Sequence, residues 1–369
     1  MQGRIVLSPY LGIILKIQKI INLVPPCISN EHIQEKIICI RGHRERIFQV
    51  FAQHYEDKFV FHNYGQGGAG WTFLFGCVNE SMRQFEQALK ENSELKNKPI
   101  AVIGAGCYGL LTAIILKRNG YEVTIIAKET ENISSNKAAG FFFPRPRKSS
   151  TLEEIAIFKS FGMESYAEYL IIIQGKHPFI KNGPKLLSGY YGLDIDPGFA
   201  PYITQGLMDA PEKVTIDFGN GKAYDVMEYK TLFINSSIIM QELRQNIIEL
   251  GIIITQAEVT SFSEIIQPII FNCAGLGAKN LTGDKRIIPV QGHLITLKNQ
   301  PSLEYLQYMI NVKMTMTNAL GMPRDELIYY APKDSGILGI TFIRGQDSLI
   351  ANQHEFDRLL ERCHNFFGT

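Results

Sequence analysis

The sequence predicts an α/β fold, and three patterns carry that prediction. Pro99-Ile100-Ala101-Val102-Ile103 is a continuous apolar run, as expected for a strand buried on both faces of a parallel sheet. Gly104-Ala105-Gly106-Cys107-Tyr108-Gly109 follows directly and opens a helix that Gly120 caps, after which Glu122-Val123-Thr124-Ile125-Ile126 gives a second strand. Further on, Gly292 to Leu297, Leu327 to Ala331 and Gly336 to Phe342 read as strands of an antiparallel sheet. The expected architecture is a Rossmann-like dinucleotide-binding domain with a second domain built on a mixed or antiparallel sheet, both discontinuous in sequence. The first is expected over residues 47–143 plus 216–287, the second over 27–46, 144–215 and 288–369, with 1–26 as an apolar extension.

Bulk composition is compatible with this plan. A chain of 369 residues with 45% hydrophobic and 20% charged residues can bury two sizeable cores. A net charge of +1 gives no field that would favour nucleic acid as a partner. The six cysteines are scattered without a Cys-x-x-Cys pair, so neither a metal site nor a disulfide framework is expected, and reduced thiols in a cytoplasm are the default.

Taken in order, Ile5 to Val24 is apolar but interrupted by Lys16, Gln18, Lys19 and Asn22 before Pro25-Pro26 stops it. A helix packed on the protein is the expectation, with a membrane-surface anchor as the alternative. Phe59 to His62 is a short strand leading into the string His62-Asn63-Tyr64-Gly65-Gln66-Gly67-Gly68-Ala69-Gly70-Trp71-Thr72. So many glycines let a backbone press against a flat or anionic ligand; the same string could also be a tight turn. An amphipathic helix is expected over Glu80 to Leu95, and the polar stretch Glu91 to Lys98 is the best linker. Beyond the first strand–helix–strand unit, strands are expected at 213–218, 222–229, 252–255 and 268–273, and helices at 236–250 and 353–366.

The hexad at 104–109 has a division of labour: Gly104 permits the tight turn, Gly106 the approach of a pyrophosphate, and Gly109 close packing of helix on strand. The carboxylate usual for a ribose hydroxyl belongs at the end of the second strand, where the chain has Ala127-Lys128-Glu129. Glu129 could serve if that strand runs on, and Lys128 near the phosphates is an equal alternative.

These segments, taken together, resemble the D-amino-acid oxidase family. Val102 to Glu129 and Ser134-Ser135-Asn136-Lys137-Ala138-Ala139-Gly140-Phe141-Phe142-Phe143-Pro144 are similar to its N-terminal flavin region. Asn272-Cys273-Ala274-Gly275-Leu276-Gly277 with Pro289 to His293 resembles its central strand end and glycine turn, and Tyr329-Tyr330-Ala331-Pro332 the sheet that roofs its active site. Ile40-Arg41-Gly42-His43-Arg44 and the string at 62–72 resemble segments that lie near the family's C-terminus. Here they precede the nucleotide fingerprint, and each motif occurs once; the order is that expected of a circular permutation joined at Glu91 to Lys98, with a gene fragment fused out of register as the competing account.

The resemblance implies FAD as cofactor, contacted by Gly104, Ala105, Gly106, Gly109, Lys128, Ser135, Ala138, Ala139, Gly140, Val259, Ala274 and Gly275, and from the string by Gly67, Gly70, Trp71 and Thr72. It implies Arg41 as the anchor of a substrate carboxylate, with Arg44 as fallback, Tyr329 as a second donor, and the Gly68 backbone as acceptor from the substrate amine. Surface pairing of both arginines with Glu45 or Glu56 is the competing reading, and Phe141 to Phe143 form an apolar wall or plain core. The implied reaction is oxidative deamination of a D-amino acid by hydride transfer to flavin N5, with molecular oxygen as acceptor. With no second obvious cation, neutral or apolar side chains are favoured. A glycine or sarcosine-type oxidase and a flavin-binding protein without turnover are the alternatives; a related tRNA-modifying oxidase domain is disfavoured by the balanced charge. A homodimer is left open.

Overall fold

Three neighbouring parallel strands end on the same edge of one sheet, and each runs straight into a glycine turn. They belong to a six-stranded sheet in the order Ile253–Gln256, Val123–Ala127, Ile100–Ile103, Ile269–Asn272, Lys58–Tyr64, Gln49–Tyr55. All neighbours are parallel except the last pair, an antiparallel hairpin. Asn272 is in register with Ile103 on one side and His62 on the other. The turns at Gly104, Gly275 and Gly65 are therefore delivered side by side, although the third precedes the first in sequence. The structure, a computed structural model, describes residues 19–301, 303–317, 321–350 and 352–369.

A ten-stranded mixed sheet forms the second layer. Its path runs Lys19–Asn22, Glu212–Asp217, Ala223–Ile234, Pro184–Tyr191, Tyr308–Thr317, Pro323–Ala331, Ile337–Gly339, Ile287–Leu297, Ile343–Arg344, with Ile33–Arg44 pairing off this path along Ile287–Leu297. Two expectations change here. Ala223–Ile234, expected within the dinucleotide-binding domain, lies in the large sheet because its whole length pairs with Pro184–Tyr191 and Glu212–Asp217. Lys19–Asn22, expected in a helix, is a strand parallel to Glu212–Asp217; the rest of that expected helix, through residue 18, lies outside the described residues.

The helix Leu74–Glu91 starts earlier than its sequence pattern suggests, and Ser93–Leu95 forms a separate short turn. Its apolar face, including Phe75, Val78, Met82, Phe85 and Leu89, is buried, and Phe85 meets Phe61 and Phe271 of the parallel sheet edge to face. The helix Leu152–Ile173 packs beside it, opened by a capping box in which Thr151 and Glu154 satisfy each other's backbone amides. A second core lies between the large sheet and the C-terminal helix Gln353–Phe367, through Phe356, Leu359, Cys363, Phe366 and Phe367. Among the described residues no helix is long and apolar enough to cross a membrane. All six cysteines are free.

Candidate active site

A cleft of about 1540 Å³ opens where the three glycine turns meet the large sheet. That exceeds the roughly 300–1,000 Å³ of sites for drug-sized ligands and lies at the carboxyl ends of parallel strands, where open α/β sheets place their ligands.

At the fingerprint end, a Cβ on Gly109 would sit 1.9 Å from Gly104 O, and one on Gly104 2.5 Å from Cys273 O. Gly109 does not line the cleft; it lets the helix Cys107–Arg118 lie against its strand, as its place in the motif predicts. Gly104, Ala105 and Gly106 line the cleft. Ser135 lines it too, but its hydroxyl accepts from the Cys107 amide at 3.1 Å and so caps the helix itself. No group among the described residues accepts from the Ala105 and Gly106 amides, which leaves two donors at a helix N-terminus for an anion.

Ala127 closes the second strand and is buried, with its carbonyl taken by the Ala257 amide at 3.0 Å. Lys128 and Glu129 sit at the exposed rim, where Lys128 Nζ is 2.9 Å from Glu258. Val259, Ala274 and Gly275 line the same end, and Ala138, Ala139 and Gly140 the stretch between the two ends. Gly140 is held for another reason: a Cβ there would be 2.1 Å from Ile234 O.

The string forms the other end. Gly67, Gly68, Gly70 and Trp71 line the cleft, and Trp71 Nε1 donates to Ser135 O at 3.1 Å. Thr72 does not line it. Its buried hydroxyl accepts from the Phe143 amide at 3.0 Å, fastening the string to the Phe141–Phe143 stretch. Gln66 Nε2 donates to Asn63 Oδ1 at 2.8 Å. Phe141 and Phe143 line the cleft while Phe142 points the other way into the core beside Tyr166 and Tyr202.

Arg41 enters from the strand Ile33–Arg44 and is 6% exposed. Its Nη2 donates to Thr341 O at 2.6 Å and Gln291 O at 3.3 Å, its Nε to Val290 O at 3.4 Å, and Phe342 covers it with a ring centroid 4.6 Å away. No carboxylate pairs with it among the described residues, and a Cβ on Gly68 would be 3.5 Å from its Nη1. Burial pulls its pKa below the ordinary arginine value. Arg44, three residues on, is fully engaged: Nε donates to Asp284 at 2.7 Å and Nη1 to Ile47 O at 2.7 Å. Its acid is thus neither Glu45, which takes Arg344, nor Glu56.

Tyr329 is buried with its ring 4.2 Å from Phe141, and burial pushes its pKa up, so it stays a neutral phenol beside the cation. Tyr330 points to the opposite face, donating to Leu306 O at 3.2 Å. His43 also lines the cleft; burial, with Arg147, Arg344 and Arg41 nearby, lowers its pKa to about 4, so it adds no charge near neutrality.

Several lining residues carried no sequence signal that identified them: Tyr191, Asn311, Lys313 and Arg147. Strand register explains the first three, because Asn311 pairs with Tyr329 on one side and Tyr191 on the other, and Lys313 lies two residues along on the same face. The cleft therefore holds cations besides Arg41, contrary to the expectation from sequence.

A dinucleotide fits these residues. Gly68, Gly70 and Gly275 leave open backbone along the cleft, where an added Cβ would meet nothing closer than 3.5 Å, and the free amides at 105–106 await an anion. Comparison with known proteins agrees. A D-amino-acid oxidase of Streptomyces coelicolor is 26% identical over 215 residues, 57% of this chain and 62% of that protein. A D-amino-acid oxidase of Dictyostelium discoideum is 28% identical over 205 residues, 54% of this chain and 57% of that protein. The matched part thus spans only about three fifths of these relatives. The glycine oxidase of Bacillus cereus shares the fold, with a TM-score of 0.53 and 17% identity over 72% of this chain and 77% of that one. The family model for FAD dependent oxidoreductases matches residues 99–369, and the chain belongs to that family.

Proposed function

We propose that this protein is a FAD-dependent oxidase of D-amino acids, releasing an imino acid that hydrolyses to a 2-oxo acid and ammonia, with hydrogen peroxide as the reduced product. The observation that carries the reading is Arg41. A buried guanidinium without an acid is costly unless a ligand supplies the anion, and three backbone carbonyls already fix its fork. Its Nη1, beside Gly68, is the group left to bind a substrate carboxylate. Tyr329, protonated beside it, donates to the same carboxylate, and the Gly68 carbonyl accepts from the amine. Phe141 and Phe143 exclude water from the carbon to be oxidised. Bound FAD supplies the two-electron acceptor; the protein's part is to bind, orient and desolvate. Lys313, two register pairs from Tyr329 on the same face, makes an acidic side chain the second substrate class to assay.

A substrate panel read by peroxide release tests this. D-alanine and D-methionine should be oxidised, and Arg41→Leu should cut kcat/KM by on the order of 100-fold while FAD stays bound. Turnover of sarcosine alone would move the protein to secondary amines, and bound FAD without any amine turnover would leave a binding protein.

We also propose that the chain is a circularly permuted member of its family. The family match begins at residue 99, directly after the Glu91 to Lys98 stretch that the sequence marks as the joint. Residues 33–64 supply strands that pair with Ile287–Leu297 and Ile269–Asn272. Leu23 and Phe367 both bond to the hairpin around residue 220, through Asp217 O at 2.8 Å and Asn220 Nδ2 at 2.7 Å. A gene reordered to run from 99 to 369 and then, through a short Gly/Ser linker, into 23–95 should fold and bind FAD. An insoluble or flavin-free product would count against permutation.

A further inference from the structure

Lys333 follows the strand Pro323–Ala331 on the large sheet and is 3% exposed. Lysine is almost never this buried without an acid, yet no carboxylate among the described residues pairs with it. Its Nζ donates to the carbonyls of Asn136 at 2.5 Å and Ala138 at 2.9 Å. Burial lowers its pKa to about 8, with Asp334 opposing, so the ammonium persists at neutral pH.

Those two carbonyls belong to the stretch that lines the middle of the cleft. Three further carbonyl contacts of that stretch are also made from outside it. Trp71 Nε1 takes Ser135 O, Ser236 Oγ adds a second donor to Ala138 O at 2.7 Å, and the Ile234 amide takes Gly140 O at 2.7 Å. In a planar trans peptide the N–H points opposite to the C=O. Holding Ala138 O back therefore turns the Ala139 amide away from Lys333, and no group among the described residues accepts from it.

We propose that Lys333 is a positioning residue for the cofactor: it clamps the Asn136 and Ala138 carbonyls from behind and so presents the Ala138–Gly140 backbone to bound flavin. The inference rests on the FAD reading. It assigns the ammonium a task that an apolar core side chain could not perform, because only a multiple donor satisfies two carbonyls at once.

The test compares Lys333→Met and Lys333→Gln with the unmodified protein, measuring FAD affinity by flavin fluorescence and the Tm of the apoprotein. Met, which fills the space without donors, should weaken FAD binding by about 10- to 100-fold, and Gln, which keeps part of the donor set, by less. Holoprotein Tm should fall more than apoprotein Tm. Unchanged FAD affinity in a folded Met variant, or failure of both variants to fold as apoprotein, would overturn the proposal and make Lys333 a purely structural group. Absence of FAD binding by the unmodified protein would instead sink the cofactor reading beneath it.

Discussion

The turns at 104–109 and 65–70 leave strands separated only by Ile269–Asn272, and both are rich in glycine, but they need it for opposite reasons. At the fingerprint the chain itself demands glycine: a Cβ at Gly104 or Gly109 would strike backbone oxygen at 2.5 or 1.9 Å, and Gly104 has φ of +101°. In the string that holds for Gly65 and Gly67, with φ of +89° and +65°, but not for Gly68 and Gly70. There a Cβ would find its nearest atoms at 3.5 and 3.7 Å, with ordinary backbone angles. Among the described residues nothing forbids a side chain at 68 or 70, so we assign the demand to the ligand. One turn is glycine-rich to build the fold, the other in part to leave it open.

The largest effect that comparison predicts is at Gly109. Gly109→Ala forces the fingerprint helix off its strand, since backbone oxygen cannot yield as a flexible side chain can. A destabilisation of about 3 kcal/mol or more is expected, visible as a Tm lowered by several degrees together with loss of FAD. An alanine variant with unchanged Tm would show that the strand and helix can part freely, and the distinction between the turns would collapse.

How much of this was legible in sequence follows the range of the contacts involved. Ile100–Ile103, Val123–Ala127 and the intervening helix fall within a few residues of their predicted bounds, because apolar runs and glycine punctuation are local signals. Leu152–Ile173 is apolar nearly all round, so periodicity does not mark it, and its one local signal is the Thr151-x-x-Glu154 capping box. Ile33–Arg44 depends on Ile287–Leu297, some 250 residues away, for its pairing. The same distance hid which arginine would be free. Of Arg41 and Arg44, Asp284 arrives beside the second alone, and no pattern near residue 41 announces that. Lys333 was silent for the same reason, its partners lying 195 and 197 residues upstream.

The finer and smaller effect belongs to Gly70, and it separates fold from ligand most cleanly. A Cβ added there would lie 3.7 Å from the Tyr108 ring, ordinary contact, and the φ of −52° and ψ of −49° suit alanine as well as glycine. Gly70→Ala should therefore leave the apoprotein Tm unchanged or slightly raised, since alanine restricts the unfolded chain by about 0.4–1 kcal/mol more than glycine does. FAD affinity should fall by about tenfold, the cost of one methyl group against a flat ligand, on the order of 1–2 kcal/mol. The decisive quantity is the difference between the two readouts. Equal losses in apoprotein Tm and in FAD affinity would mean the string is glycine-rich for its own packing, like the fingerprint. A loss confined to FAD would mean that this backbone is kept bare for something the chain does not itself contain.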